Sequence, residues 1–188
     1  MRIGLCGAQG VGKSTLLKAM WDLPELSGHA FIPSITRATS KACGTPLNQN
    51  GTFEGQKALV KAYSWHVKRF PNLVLPRTLL DVYAYSRYLC VHKTLTSQEL
   101  NYLRGRIRRA QFLFDVVLYI RPEFELQGDD IRSGDTGFQT EMAGIFEYVI
   151  QHDSLGPRHP IHVISGTVEE RLDAVKLILW GHKNENKS

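Results

Sequence analysis

The chain has few cysteines, and their arrangement narrows the kinds of protein it can be. Cys6, Cys43 and Cys90 are odd in number, scattered and without Cys-x-x-Cys spacing. This argues against a disulfide framework or a cysteine metal site and predicts reduced thiols in the cytoplasm. No apolar run approaches the ~20 residues needed to cross a bilayer, so we expect no membrane partner. The histidines show no metal-ligand spacing, and the sequence contains no internal repeat or low-complexity segment.

The overall composition is that of an ordinary soluble globular protein, with 43% hydrophobic and 22% charged residues. A chain of 188 residues can bury a three-layer core, so we expect a single domain over residues 1–188. Residues from about 181 to 188 are polar, which predicts a flexible tail.

The charge is distributed unevenly along the chain. Between Lys57 and Arg121, twelve Lys or Arg accompany three acids, a net charge of +9. Between Pro122 and Asp153, eight acids accompany one base, a net charge of −7. A basic segment of this kind can hold a polyanion such as nucleic acid. It is equally typical of a solvated surface, so charge alone leaves both interpretations open.

The first fifteen residues contain the phosphate-binding pattern Gly-x-x-x-x-Gly-Lys-[Ser/Thr] between a predicted strand and a predicted helix. Glycines let successive backbone N–H groups turn towards phosphate oxygens, and the start of the helix adds the positive end of its dipole. Lys13 supplies a charge for the β- and γ-phosphates, and Ser14 offers a hydroxyl to Mg²⁺. The nucleotide-binding residues predicted from this loop are Gly7, Gln9, Gly10, Val11, Gly12, Lys13, Ser14 and Thr15.

Strands and helices alternate along the sequence, which predicts an α/β fold with a parallel sheet covered on both faces. Apolar runs predict five strands, at 3–6, 30–33, 73–75, 116–120 and 161–164. Helical patterns lie at 13–22, 56–69, 79–91, 138–152 and 168–180, and Thr96 with Glu99 forms a capping box that starts another. The polar stretch 34–54 predicts a long loop. Ligands of such sheets bind beyond the carboxyl ends of the strands.

Three further stretches, at 76–85, 128–135 and 165–171, follow predicted strands. In order and spacing they resemble the small P-loop kinases of the nucleoside and nucleotide kinase group, and in particular the compact kinases related to the ribosylnicotinamide kinase domain. In that group the central strand ends in Asp-Arg-[Ser/Thr]-x-x-Asp, a lid carries Asp-Gly-x-Arg-x-x-Asp, and the last strand runs into Gly-[Ser/Thr]-x-x-x-Arg near the adenine. The resemblance implies a three-layer P-loop kinase fold with five parallel strands and a lid at about 122–137.

The resemblance also implies roles for individual residues. Arg77 and Asp81 match the strand-end motif, and Arg132 with Asp130 and Asp135 matches the lid. Catalysis would then use Lys13, Arg77, Asp81 and Arg132, with ATP as donor and Mg²⁺ held by Ser14 and Asp81. Thr167 and Arg171 match the turn beside the base. Position 76 departs from the pattern, because it is proline where the group has an acid. Asp81 is the nearest substitute, with Asp130 and Glu54 as alternatives.

The acceptor hydroxyl is expected on one of two kinds of molecule, and modified DNA is the favoured one. The chain is similar to bacteriophage kinases that phosphorylate 5-hydroxymethyluridine in DNA, which implies double-stranded modified DNA as the partner and the host cytoplasm as the location. The basic residues Arg37, Lys41, Arg104 and Arg108 would suit that partner, with Asp130 and Asp135 beside the acceptor. The alternative is a kinase of a free deoxynucleoside or deoxynucleoside monophosphate. A P-loop NTPase that transfers nothing is the third hypothesis, which the lid arginine disfavours.

Overall fold

A computed structural model describes residues 1–33, 35–122, 136–153, 155 and 160–185. The strands are β1 (Arg2–Cys6), β2 (Ala30–Phe31), β3 (Leu73–Leu75), β4 (Val116–Ile120) and β5 (Ile161–Ile164). The helices are α1 (Lys13–Met20), α2 (Ile35–Cys43), α3 (Phe53–Arg69), α4 (Leu79–Val91), α5 (Ser97–Gln111), α6 (Thr136–His152) and α7 (Val168–Glu185). Short 3-10 turns occupy Pro24–Leu26 and Asn48–Asn50. No described helix is long and apolar enough to span a membrane.

The five strands form one parallel sheet in the order β2-β3-β1-β4-β5. In its centre, Gly4 of β1 lies opposite Leu75 of β3 and Val117 of β4. Every residue of β3 and β4 is buried, as expected for parallel strands with both faces covered. The predicted α/β fold with a five-stranded parallel sheet is confirmed.

Helices cover both faces of the sheet and make the three layers. On one face, Leu16 of α1 and Leu179 of α7 pack with Ile3 and Leu5 of β1. On the other face, residues of α3 to α6 pack against the alternate residues of the strands, such as Cys6. Because successive strand residues point to opposite faces, β1 contributes to both cores. This arrangement directs the carboxyl ends of β1 and β3 to one edge.

A glycine in the middle of β1 marks a close approach between this strand and the turn after β3. A Cβ added to Gly4 would lie 2.2 Å from Cγ2 of Thr78 and 2.8 Å from Cε1 of Phe114. Both neighbours are fully buried. Glycine weakens a strand, and one inside a strand often marks such an approach. Here it lets the turn that carries Arg77 and Asp81 cross directly over β1.

The segment predicted as a long loop contains a helix, α2, so that prediction was wrong for residues 35–43. Ile35 is its buried residue, and most of its other side chains are exposed or half-buried. Its apolar residues Ile35, Ala38 and Ala42 recur at helical spacing, but the helix has only nine residues and most of them are polar. Helix α3 also begins before the predicted residue 56, because Thr52 caps it by accepting a hydrogen bond from the Gly55 amide at 3.1 Å.

The C-terminal helix is longer than predicted. Helix α7 continues to Glu185, so the expectation of a flexible tail was wrong for residues 181–185. Val175 and Leu179 are fully buried in the core beside α1 and anchor the helix, while its polar end extends from that anchor. Residues 186–188 and most of the predicted lid, 123–135, lie outside the described residues.

Candidate active site

The phosphate-binding loop connects the end of β1 to the start of α1. Gly7, Gly10 and Gly12 have φ angles of 137°, 86° and 88°, which glycine adopts without a Cβ clash. A Cβ on Gly7 would also lie 2.6 Å from the carbonyl oxygen of Ile120 in β4. Ser14 and Thr15 are exposed in the first turn of α1. The glycines of the predicted motif are therefore required by backbone conformation and, at Gly7, by packing.

Lys13 is folded back onto its own loop and is only 7% exposed. Its Nζ donates hydrogen bonds to the carbonyl oxygens of Gly7 and Ala8, at 2.7 and 2.5 Å. Burial, together with the charge of Arg77, lowers the pKa of Lys13 to about 7, although Asp81 opposes both effects. These electrostatic partners place the phosphate loop beside the end of β3.

The turn after β3 holds Arg77 and Asp81 against each other. Thr78 caps helix α4: its Oγ1 accepts a hydrogen bond from the Leu80 amide at 3.0 Å. In return, Oδ2 of Asp81 accepts from the Thr78 amide at 2.7 Å and from the Thr78 hydroxyl at 3.2 Å. This is a capping box. One oxygen of Asp81 thus has a structural role at the start of the helix.

The other oxygen of Asp81 is free of hydrogen bonds within the described part of the chain. This atom, Oδ1, lies 3.8 Å from Nη1 of Arg77, and the residue is only 2% exposed. Burial raises the pKa of Asp81, while the charges of Arg77 and Lys13 and the hydrogen bonds from Thr78 lower it. Among the described residues, this buried carboxylate oxygen thus lies beside Arg77 without a hydrogen-bonding partner, and Lys13 interacts with the carboxylate electrostatically.

Arg77 lies between Asp81 and an aromatic ring. Its guanidinium carbon is 5.2 Å from the centre of the Tyr85 ring. Burial by itself lowers the pKa of Arg77, but the attractions of Tyr85 and Asp81 raise it above its ordinary value. The residue is thus a permanent cation at the mouth of the site, which is what a phosphate-binding role requires.

An open cleft lies beside Arg77 and Asp81, between α2, α3 and α4. Its apolar walls are Leu47, Leu59 and Val82. Its polar lining comprises Thr36, Asn48, Gln56, Tyr63, Arg77, Asp81 and Tyr85. A mixture of apolar walls with a few polar groups is typical of small-molecule sites.

Gln56 is a cleft residue that the sequence analysis missed. It is 4% exposed, and its Oε1 has no hydrogen-bonding partner in the described structure. The signal for it was present, because Gln56 lies on the same helical stripe as Leu59 and Tyr63. A glutamine on a buried stripe needs a partner for its amide, and a ligand in the cleft can supply one.

Arg171 lies against the phosphate loop and is 5% exposed. Its Nη1 donates to the carbonyl oxygen of Val11 and its Nε to that of Gly166, both at 2.7 Å. Thr167 begins α7, where its amide donates to Glu170 at 2.7 Å and its hydroxyl accepts from the Glu170 amide. Arg171 thus joins the start of α7 to the phosphate-binding loop. Nucleotide contacts by Thr167 and Arg171 stay a prediction.

The basic residues predicted for DNA lie on helices outside the cleft lining. Arg37 and Lys41 are exposed on α2, and Arg108 is exposed on α5. Arg104 of α5 pairs with Asp153 at 3.5 Å, and Arg87 of α4 pairs with the same carboxylate at 3.1 Å. Asp130, Arg132 and Asp135 lie outside the described residues. No group of three or more His, Cys, Asp or Glu that could hold a metal occurs in the described ranges.

Comparison with protein-family models and with curated protein sequences gives no match. Comparison with solved structures gives clear ones. Deoxyadenosine kinase from M. mycoides, with the products dCMP and a flexible dCDP bound, superposes with a TM-score of 0.66 over 96% of this chain and 99% of that one, at 17% identity. The same enzyme with dATP gives a TM-score of 0.64 over 95% and 99%, at 16% identity. With dCTP it gives 0.64 over 96% and 100%, at 17% identity.

The chain has the fold of a deoxynucleoside kinase. The likeness covers nearly the full length of both chains. At this level of identity the likeness concerns the fold, and function has to be argued from the site.

Proposed function

We propose that this protein is an ATP-dependent kinase that phosphorylates the 5′-hydroxyl of a free deoxynucleoside. One observation carries the proposal: Arg77 and Asp81 line a cleft with apolar walls and interact electrostatically with Lys13 of the phosphate loop. The solved structures with the same fold belong to a deoxyadenosine kinase that holds deoxynucleotides. Fold and site therefore support the same chemistry.

The phosphate loop is the donor side of the proposed site. Its glycine geometry matches the cradle that backbone N–H groups form around phosphates. Lys13 would exchange its two carbonyl partners for phosphate oxygens, which are better partners because they are charged. Mg²⁺ fits the exposed hydroxyl of Ser14, since this ion prefers oxygen ligands and usually binds few protein groups together with substrate phosphates. When bound, it would neutralise charge on the transferred phosphoryl group.

The cleft is the acceptor side. A nucleoside has a flat apolar base with a polar edge, and the cleft offers apolar walls with the buried amide of Gln56. The amide's free Oε1 would accept from an exocyclic amino group while its nitrogen donates to the adjacent ring nitrogen. Adenine and cytosine carry that pair of groups. The proposal therefore favours deoxyadenosine and deoxycytidine over thymidine.

Asp81 is proposed as the group that accepts the proton of the acceptor hydroxyl. Its Oδ2 is used in the capping box, which holds the carboxylate in place, and its Oδ1 is free beside Arg77. A raised pKa makes a carboxylate a better base. This role would substitute for the acid that Pro76 replaces. Arg77 would stabilise the negative charge of the transferred phosphoryl group.

A hydroxymethylated base in DNA is the competing acceptor. Thr36 of α2 and Asn48 line the cleft beside Asp81, which is only 2% exposed, so a base from a duplex would have to flip out to approach it. Arg104, one of the residues predicted to contact DNA, is already paired with Asp153. A free deoxynucleoside needs neither flipping nor a basic surface.

The test is transfer of labelled phosphate from γ-labelled ATP to a panel of acceptors. The panel contains the four deoxynucleosides, their monophosphates, and duplex DNA with 5-hydroxymethyluracil. We expect label in dAMP or dCMP from the nucleosides. Label only in DNA would overturn the proposal in favour of a DNA kinase, and phosphate release without a labelled acceptor would point to an NTPase. Arg108→Ala is the control for the basic surface and should leave nucleoside transfer within about twofold.

The role of Asp81 has a matched control in the same chain. Asp81→Asn retains an oxygen that can accept from the Thr78 amide but loses the base, so kcat should fall by about 10²–10⁴-fold. Glu99→Gln makes the same change in the capping box of α5, where Glu99 accepts from the Thr96 amide at 2.8 Å. It should leave kcat unchanged. Equal effects of the two substitutions would show that Asp81 acts only as a cap.

A further inference from the structure

The outer wall of the cleft is the segment from α2 to the turn Asn48–Asn50. Thr36 and Asn48 of this segment both line the cleft. The hydroxyl of Thr36 is 2.9 Å from the hydroxyl of Tyr63, which ties one end of the wall to α3. The 3-10 turn contacts α4 and fixes the other end near the buried amide of Gln56.

This wall is also joined to the phosphate loop. Nδ2 of Asn48 donates a hydrogen bond to Oε1 of Gln9, at 3.1 Å. Gln9 belongs to the loop that would hold the nucleotide phosphates, whereas Asn48 belongs to the acceptor cleft. The two residues are 39 positions apart in the sequence. One side-chain contact thus connects the donor half of the site with the acceptor half.

The backbone at Asn48 is shaped for this contact. Its φ angle is 56°, a left-handed conformation that asparagine tolerates better than most residues. The Gly51 amide donates to the Asn48 carbonyl oxygen at 3.0 Å and closes the turn. In this conformation the side-chain amide of Asn48 reaches Gln9. A glycine would keep this backbone at no steric cost, which provides a clean substitution.

We propose that Asn48 is a positioning residue that couples nucleotide binding to acceptor binding through Gln9. This inference rests on the proposed kinase function. A nucleotide that restricts the motion of the loop also restricts Gln9. Through its hydrogen bond, Gln9 then restricts Asn48 in the wall of the cleft. Such coupling is reciprocal, so the acceptor should also tighten the binding of the nucleotide. In this proposal the Gln9 side chain binds Asn48, and the phosphates are bound by the backbone of the loop.

The experiment measures the dissociation constant of deoxyadenosine or deoxycytidine with and without the non-hydrolysable analogue AMP-PNP. In the native protein we expect AMP-PNP to tighten nucleoside binding by about three- to tenfold, the range of one solvent-exposed hydrogen bond. Asn48→Gly, Gln9→Ala and the double variant should each lose this tightening to the same extent. Unchanged coupling in Asn48→Gly would overturn the proposal.

The wall provides a matched control. Thr36→Val removes the hydroxyl that contacts Tyr63 but leaves the link to Gln9 intact. It should weaken nucleoside binding equally with and without AMP-PNP, so that the coupling factor stays at the native value. Loss of coupling in Thr36→Val as well would mean that general loosening of the wall, and not the Asn48 contact, is responsible.

A second measurement separates this inference from the kinase proposal. Hydrogen exchange of residues 47–51 is followed in the protein with and without AMP-PNP, which needs no acceptor. AMP-PNP should protect these amides in the native protein and not in Gln9→Ala. If no nucleoside binds but this protection is seen, the proposed acceptor is wrong and the link stands. Absence of protection in the native protein would overturn the link itself.

Discussion

Replacement of Gly4 by alanine tests how closely the turn after β3 is packed on β1. The new Cβ would lie 2.2 Å from Cγ2 of Thr78 and 2.8 Å from Cε1 of Phe114. Carbon atoms in good contact are about 3.5–4.0 Å apart, so something must move by more than about 1 Å. Thr78 cannot rotate freely, because its hydroxyl accepts from the Leu80 amide and donates to Asp81.

The magnitude follows from the cost of overpacking. Extra methyl groups in a packed core cost about 1–3 kcal/mol, and here both neighbours are fully buried. Alanine regains about 0.5–1 kcal/mol relative to glycine through the lower entropy of the unfolded chain. Because contacts of 2.2 and 2.8 Å are far inside van der Waals distance, the upper end of the overpacking range applies, and we expect Gly4→Ala to lower the free energy of unfolding by about 2 kcal/mol. Urea denaturation followed by circular dichroism should show this as a lower midpoint with an unchanged slope.

Thr78→Ser provides the second variant. Serine keeps the capping hydroxyl but lacks Cγ2, so it removes the 2.2 Å contact and leaves the one with Phe114. In the double variant we expect the loss caused by Gly4→Ala to shrink by about 1 kcal/mol or more. Additive effects of the two substitutions would refute the reasoning, as would a Gly4→Ala protein within about 0.5 kcal/mol of the native one. We also expect the kinase activity of Gly4→Ala to fall, because the displaced Thr78 also positions Asp81.

Three further predictions concern the charged groups of the site. Because the pKa of Lys13 is about 7 in the folded protein and 10.5 ordinarily, the unfolded chain binds more protons between these values. The free energy of unfolding should therefore rise with pH across this window, by up to about 1.4 kcal/mol per unit, and urea titrations of Lys13→Met should lack that rise. Arg171→Ala loses two hydrogen bonds from a charged donor and should lower the free energy of unfolding by about 3 kcal/mol, with weaker AMP-PNP binding by calorimetry. Arg132→Ala should reduce kcat by at least about 10²-fold at saturating ATP, and a smaller loss would contradict the lid assignment.

Local patterns account for the parts of the fold that could be predicted. The bounds of β3, β4, β5 and α4 agree with the sequence-based prediction, and so does the capping box of Thr96 and Glu99. Each depends on residues close together in the chain: an apolar run, a cap, a glycine before a lysine. Helix α2 was missed because its apolar spacing extends over only nine residues, most of them polar.

The cleft could not be predicted, because its residues come together only through packing. Gln56 is buried like a core residue. Its unpartnered oxygen indicates a binding site only because it lies in the same cleft as Arg77 and Asp81. The contact of Arg171 with the phosphate loop joins residues 160 positions apart. No local pattern encodes contacts at that separation.

By itself, the sequence determined that the chain begins with a phosphate-binding loop and continues as alternating strands and helices, because glycine conformation and apolar periodicity are local properties. Tertiary structure alone decided what the loop faces. In the folded chain, Oδ2 of Asp81 accepts a hydrogen bond in the helix cap, whereas Oδ1 has no hydrogen-bonding partner among the described residues. Folding also brings Asn48 within hydrogen-bonding distance of Gln9. These outcomes depend on how strands and helices pack across the sheet, so they follow from the folded chain and not from any stretch of it.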